Sequence, residues 1–381
     1  MEKILVVHNR YNILGGEDIA VEKELALLKE FYKVETLYFE NNVINYLTQL
    51  IAFLTNNNSH SNQLLLQKIN QFKPNHIYIH NTWFKASLGI FKIIESHDIN
   101  LIIKLHNFRY FCTKSFFSRN HLLNNENCKA CGMSVTAGIF NKYFKESIIK
   151  SILVNIYGNK YFQIIKNNKL KLIVLTKFHK NFLINLGFNK NNIEVIPNYL
   201  LIPDNKKSVK KEDYIVYAGR ISDEKGVEEL INSFLQSNLN RMNLKIIGEG
   251  PELNYLANRY KSKKVNFIGS VRNEEVWDII LNSRAVVTAT KLFEGQPTLL
   301  CEASLLEVPA IFPRTGGIGE FFPDNYPLSF EQFNYDDLID KINLVSNEEE
   351  MNRIGKANKK FINEYLSKIK LISLFKEALH E

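Results

Sequence analysis

Two stretches of the chain place charged residues at spacings that could act on an anionic ligand. The first is Phe293-Glu294-Gly295-Gln296-Pro297-Thr298-Leu299-Leu300-Cys301-Glu302-Ala303, where two carboxylates stand eight residues apart. That spacing alone would put both on one helix face, but Pro297 intervenes. The residue before a proline avoids α geometry, and proline itself favours the first helical position. Glu294 is therefore expected in a loop, with Glu302 about two turns into a helix that begins at Pro297. Amides near Gly295, Gln296, Thr298 and Leu299 would form the positive end of that helix, which can hold a phosphate or developing negative charge. Glu294 could then hydrogen-bond hydroxyls above this end, and Glu302 a ribose below it.

The second stretch is Tyr217-Ala218-Gly219-Arg220-Ile221-Ser222-Asp223-Glu224-Lys225-Gly226. A strand ends at Gly219, and two cations five residues apart follow on the loop to the next helix. Arg220 as a planar fork and Lys225 as a point charge can neutralise a diphosphate without a metal. Asp223 and Glu224 suit the start of that helix. In the first half, Gly15-Gly16 follows the first strand and precedes Glu17 and Asp18. The turn would let backbone approach a ligand, and the two acids argue against a simple phosphate cradle. His106 follows another strand end, in Leu105-His106-Asn107-Phe108-Arg109, and His80 ends a strand as well.

Positioning these residues requires strands, and the chain offers eleven β-branched runs. They are Ile4–Val7, Val34–Tyr38, His76–His80, Leu101–Leu105, Leu172–Thr176 and Ile193–Ile196, then Tyr214–Ala218, Leu244–Ile247, Val265–Ile268, Ala285–Ala289 and Pro309–Phe312. Runs such as Ile215-Val216-Tyr217 lack polar alternation, as expected of parallel strands buried on both faces. Amphipathic segments lie between them. Within 17–32, Val21, Leu25, Leu28 and Tyr32 share a helical face, with Glu22, Glu24, Lys29 and Glu30 off it. Repeated β-α units predict an α/β protein with doubly wound parallel sheets. Pro203, Asp204, Asn205 and four lysines break the pattern between Tyr199 and Asp213. The expected organisation is a Rossmann-like domain over 1–200, a linker over 201–213 and a second such domain over 214–360. A final helix over 361–381 should pack back on the first domain, and ligands should meet in a cleft between the two.

Composition narrows the class further. The 381 residues are 45% hydrophobic and 23% charged, an ordinary globular balance that excludes disorder, collagen and coiled coil. Neither a membrane-spanning run of about 18 apolar residues nor a secretory signal is evident, and four cysteines do not make a disulfide scaffold. A reduced, cytoplasmic protein is the expectation. The net charge of +8 is uneven: residues 1–200 carry 24 Lys and Arg against 13 Asp and Glu, and the remainder 24 against 27. Residues 137–171 hold seven lysines and one acid, interleaved with Ile, Phe, Tyr and Leu. Such a face suits an anionic membrane surface, or equally a solvated helix covering the core. No aromatic RNA-binding signature accompanies the charge, so nucleic acid is not expected as a partner. Cys112, Cys128 and Cys131 leave a tetrahedral zinc site incomplete unless His106 or His121 supplies the fourth ligand, and no metal is expected.

Taken together the motifs resemble family 4 retaining glycosyltransferases of the GT-B fold, of the bacterial surface polysaccharide type. That family carries a G-R-x-x-x-x-K-G loop and an E-x7-E motif written around E-G-x-P-x-x-x-x-E-A, which match Gly219–Gly226 and Glu294–Ala303. Ile246-Ile247-Gly248-Glu249-Gly250-Pro251, Asn266-Phe267-Ile268-Gly269, Lys73-Pro74-Asn75-His76 and Val195-Ile196-Pro197-Asn198 also match its strand-turn segments. The resemblance implies two facing Rossmann-like domains. It implies donor diphosphate on Arg220 and Lys225, the transferred sugar at Glu294, the ribose at Glu302, and the base near Gly248 and Val271. It also implies that His106 faces the donor sugar across the cleft and hydrogen-bonds it, rather than acting as a general base. The donor would be a nucleotide diphosphate-sugar, with no further cofactor. The acceptor would be a saccharide, free or carried on a polyprenyl diphosphate or lipid A core, in lipopolysaccharide or capsule synthesis. The protein would then sit at the inner face of the cytoplasmic membrane. No Asp-x-Asp triplet is present, which suits a metal-free reaction. A nucleotide-sugar 2-epimerase and a non-catalytic carbohydrate-binding relative share this fold and remain alternatives.

Overall fold

The β-branched runs build two sheets. A computed structural model describes residues 1–381 except 11–15, 41–50, 53, 109, 111–147, 168, 202–210, 262–263 and 381. The first sheet contains β1 (Lys3–Arg10), β2 (Lys33–Glu40), β3 (His76–Asn81), β4 (Asn100–Leu105), β5 (Lys171–Val174) and β6 (Ile193–Val195). Its strands are parallel, in the order β2-β1-β3-β4-β5-β6. The second contains β7 (Tyr214–Ala218), β8 (Asn243–Ile247), β9 (Val265–Gly269), β10 (Ala285–Val287), β11 (Ala310–Arg314) and β12 (Ser329–Glu331). These are also parallel, in the order β12-β11-β10-β7-β8-β9. The order reverses between β1 and β3 in one sheet and between β7 and β10 in the other. At such switch points neighbouring loops diverge from the strand ends and leave room for a ligand.

Contacts divide the chain into Met1–Tyr199 with Lys368–Glu381, hereafter unit 1, and Leu200–Ser367, unit 2. Most of the expected linker, residues 202–210, lies outside the described residues. The expected boundary at 360–361 falls inside the helix Glu348–Tyr365. That helix continues because Ile362 is buried in the unit 2 core. The following helix, Lys368–His380, belongs to unit 1 and buries Leu371, Ile372 and Phe375 with Ile4, Val21 and Tyr78. The Phe375 ring meets Tyr78 edge to face at 5.3 Å. A buried aromatic of this kind stabilises by roughly 1.5–3 kcal/mol.

The first long helix, Gly16–Leu28, buries Val21, Leu25 and Leu28, with Tyr32 just beyond its end. Glu24 departs from expectation: it lies on the buried side, 4% exposed. Its carboxylate accepts hydrogen bonds from Tyr78 Oη and Lys104 Nζ, both at 2.8 Å. A carboxylate tolerates such burial only when paired and hydrogen-bonded. Among the described residues no helix is long and apolar enough to cross a membrane.

Candidate active site

In unit 2 the loops after β7 and β10 meet at the switch point. After β7 the chain runs through Gly219 and Arg220 into a short turn of 3-10 helix, Asp223–Lys225, then the helix Val227–Gln236. Gly226 joins the two with φ 66°, in the left-handed region. A Cβ there would fall 2.0 Å from the carbonyl oxygen of Ala289, in the loop after β10. Only glycine permits that approach, and the approach carries Lys225 to Glu294. Lys225 Nζ donates to Glu294 Oε1 at 2.6 Å, and Thr290 Oγ1 donates to the same oxygen at 2.9 Å. Burial would raise the Glu294 carboxyl, but the Lys225 ammonium and the Thr290 hydroxyl outweigh it and hold it below the usual carboxylate range. Both side chains of the pair keep 27% of their surface exposed, so a ligand can reach them.

Arg220 is exposed, and its guanidinium makes no ion pair among the described residues. Its carbonyl accepts from Tyr217 Oη at 2.7 Å, which fixes the backbone at the strand end. The two expected diphosphate cations are therefore in different states: Lys225 is already paired, and Arg220 is available. Lys291, which no motif marked, joins Asp223 and Glu229, each at 2.6 Å, and ties the two loops together a second time.

The helix after Glu294 runs Thr298–Leu305, with Pro297 as its N-cap rather than its first residue. The Pro297 carbonyl accepts the first helical bond, from Cys301 N at 3.0 Å. Glu302 is thus the fifth helical residue, in the second turn, and accepts from Trp277 Nε1 at 3.2 Å. Gly295 and Gln296 lead into this end; Thr298 N already donates to the Gln296 carbonyl at 3.0 Å, and Leu299 supplies a first-turn amide with no partner carbonyl within the helix. Gly248, at the end of β8, has φ 132°, and a Cβ there would lie 1.9 Å from the Gly219 carbonyl oxygen. Val271 is partly buried against the unit 2 core.

The motifs missed one part of this site. After β11, Thr315-Gly316-Gly317 wraps the backbone of Glu294. Gly316 has φ 56°, and its Cβ would meet the Glu294 carbonyl oxygen at 2.2 Å, while Gly317 N donates to that oxygen at 2.9 Å. Gln332 adds bonds from Nε2 to the carbonyls of Thr290 and Leu292. The available signal was three glycines in four positions, 316, 317 and 319, directly after a strand.

In unit 1, His106 follows β4 and is half-buried. It lines a small cavity of about 20 Å³ with Glu17, His80, Trp83, Lys104 and Asn107. Asn107 Nδ2 donates to Glu17 Oε2 at 3.2 Å. Gly16 begins the helix Gly16–Leu28, and its α-carbon faces open space. Gly15, Cys112, Cys128 and Cys131 lie outside the described residues, as does most of the basic stretch before Ile148. Among the described residues no cluster of His, Cys, Asp and Glu could hold a metal ion.

Comparison with known proteins bears on the fold and on the unit 2 sequence. Residues 201–361 match the family model described as glycosyl transferases group 1. Over 108 residues the chain is 32% identical to TuaC of Bacillus subtilis (strain 168), assigned to teichuronic acid biosynthesis as a glycosyltransferase. That match spans 28% of this chain and 26% of TuaC. Among solved structures, sucrose-phosphate synthase from Thermosynechococcus elongatus superposes with a TM-score of 0.70 at 13% identity, over 99% of both chains. Anabaena HepE in complex with UDP-glucose gives 0.68 at 14% identity, over 100% of this chain and 99% of the other. These likenesses show the fold, two parallel α/β units of the GT-B type. The family match is confined to residues 201–361, within unit 2.

Proposed function

We propose that the protein is a retaining, metal-independent glycosyltransferase that takes a sugar from a nucleoside diphosphate sugar. The observation that carries this reading is the Lys225–Glu294 pair beside an exposed Arg220, at the switch point of the unit 2 sheet. A departing diphosphate needs positive charge opposite it, and Arg220, Lys225 and the Leu299 amide in the first turn of the helix Thr298–Leu305 would supply that charge without a metal. Glu294 is held ionised and can accept hydrogen bonds from sugar hydroxyls. The pairing of Lys225 with Glu294 sets both side chains before the donor arrives, which is the preorganisation that lowers a barrier. Glu302 and Trp277 would take the ribose, and Gly248 and Val271 the base.

In the reaction an acceptor hydroxyl attacks the anomeric carbon from the face that the diphosphate leaves. The glycosidic bond forms as the carbon–oxygen bond to phosphate breaks, and the departing phosphate oxygen takes the hydroxyl proton. His106 would hydrogen-bond the donor sugar. The crystallised complex of HepE with UDP-glucose supports a UDP-sugar as the first donor to try. The match to TuaC supports a surface polymer as the product, built on a saccharide or polyprenyl-linked acceptor. A membrane-facing surface is supported by Ile149, Ile152 and Ile156, exposed on one side of the helix Ile148–Ile165, whose exposed Lys160 follows one turn on. The test is turnover of a UDP-, GDP- and ADP-sugar panel with EDTA present, followed by NMR of the product anomer. Transfer with retained configuration is the expected result; inversion, or a strict metal requirement, would overturn it.

A further inference from the structure

His106 does not stand alone. Its Nε2 lies 2.9 Å from Nδ1 of His80, and the two rings stack with centroids 5.2 Å apart. β3 and β4 are neighbours in the sheet, with Ile79 opposite Ile103, so the end of β3 stands beside the end of β4, and His106 directly follows that strand. On the other side, the His80 ring packs against Tyr78 at 4.4 Å and meets His8 edge-on at 6.2 Å. His8 is itself fixed on Asp18 at 2.8 Å. Lys104, fully buried on β4, stands beside both rings with its ammonium on Glu24, and Glu17 lines the same cavity. His179, on the helix Lys177–Asn185, is engaged with Tyr110 Oη at 2.8 Å. Burial, reinforced by the Lys104 charge and His8, presses His80 and His106 well below the ordinary imidazole range, so both are neutral at pH 7.

A neutral imidazole carries one N–H, which leaves two arrangements for the bond. If His106 Nε2–H donates, His80 accepts at Nδ1 and both rings carry their proton on Nε2. If His80 Nδ1–H donates, both carry it on Nδ1. The first keeps both rings in the tautomer that a free neutral histidine favours, and the second takes both out of it. We propose that His80 is a positioning residue, which fixes His106 as the Nε2–H tautomer and leaves its Nδ1 to accept a hydrogen bond from a sugar hydroxyl. The inference rests on the reading of His106 as a sugar contact. For metal-bound histidines, the partner that sets tautomer and ring angle is worth about ten- to a hundredfold, and an effect toward the lower end is expected for His106.

The test is nitrogen-detected NMR of the histidine side chains in the full chain, joined to steady-state kinetics. In the wild type, His106 should show a protonated Nε2 and a bare Nδ1; a protonated Nδ1 overturns the proposal with no variant needed. His80→Leu removes the acceptor, and a mixture of His106 tautomers is expected, with kcat down about tenfold or more and donor KM moved less. His80→Asn offers an amide oxygen near the lost Nδ1 and should recover most of the loss, together with the wild-type tautomer. An unchanged His106 tautomer in His80→Leu would also overturn the proposal. His106→Ala separates the two claims: wild-type turnover there removes the sugar-contact reading, while the spectra still decide what His80 does.

Discussion

Each unit contains a lysine–glutamate pair bridging elements distant in sequence, and the two pairs differ in where they stand. In unit 2, Lys225 and Glu294 sit 2.6 Å apart on loops at the strand ends, each with 27% of its side chain exposed. In unit 1, Lys104 and Glu24 sit 2.8 Å apart under the sheet, 0% and 6% exposed, with Tyr78 Oη completing the carboxylate. The chemistry is the same. A pair at the rim can exchange its partner for a ligand, so its charge is available for binding and turnover. A pair sealed in the core cannot, and removing one member strands an unpaired buried charge.

The sharpest way to break this comparison is to remove one member of the buried pair. Lys104→Met should destabilise unit 1 by about 3–5 kcal/mol, and the double variant Lys104→Met, Glu24→Leu should recover most of it. Urea unfolding measures this, and equal stability of the single and double variants would contradict it. Next come the rim residues. Glu294→Ala and Lys225→Ala should each lower turnover at least roughly a hundredfold, with unfolding midpoints little changed. Activity assays beside the same urea curves separate the two effects. Gly226→Ala is expected to cost about 1–2 kcal/mol from the left-handed backbone alone. It also forces the loop away from Ala289, so donor affinity should fall before the fold does, as a titration would show.

The smallest effect concerns pH and separates the units. No histidine lies in residues 200–367, whereas His8, His76, His80, His106 and His179 of unit 1 are all depressed by burial. A histidine held neutral in the folded state protonates in the unfolded chain near pH 6.5, so the unfolded state binds more protons below that pH. Unit 1 should therefore lose stability as pH falls from 6.5 toward 5. The Glu294 contribution has the other origin: its lowered carboxyl stabilises unit 2 above about pH 4.5 and is lost only below it. The chain has two tryptophans, Trp83 in unit 1 and Trp277 in unit 2, so Trp83→Phe and Trp277→Phe variants report each unit by fluorescence. Equal losses in both units between pH 6.5 and 5 would contradict the assignment.

Most of the fold was legible because a strand buried on both faces must be apolar throughout, as in Ile215-Val216-Tyr217. β12 was not legible: Ser329-Phe330-Glu331 sets one apolar residue between two polar ones, whereas the equally short β6 and β10 lie in apolar runs. Glu24 was misplaced for a related reason. A helical wheel records that a residue is charged, but the partners that allow its burial come from β3 and β4, fifty-four and eighty positions away. Within the site, Lys225 and Glu294 could be found because proline and glycine punctuate their loops. The Thr315–Gly317 wrap offered only glycines, whose purpose appears when the Glu294 carbonyl is seen against Gly316. The His80–His106 bond depends on strand register, which no single segment encodes.

In the proposed reaction the strand-end loops of unit 2 hold a nucleoside diphosphate by charge alone. Calorimetric titration of UDP, GDP and ADP in EDTA tests it directly, on the wild type and on Arg220→Ala and Lys225→Ala. One of the three should bind without metal and weaken at least about tenfold when either cation is removed. Binding that needs a divalent ion, or that survives loss of both cations undiminished, would contradict it.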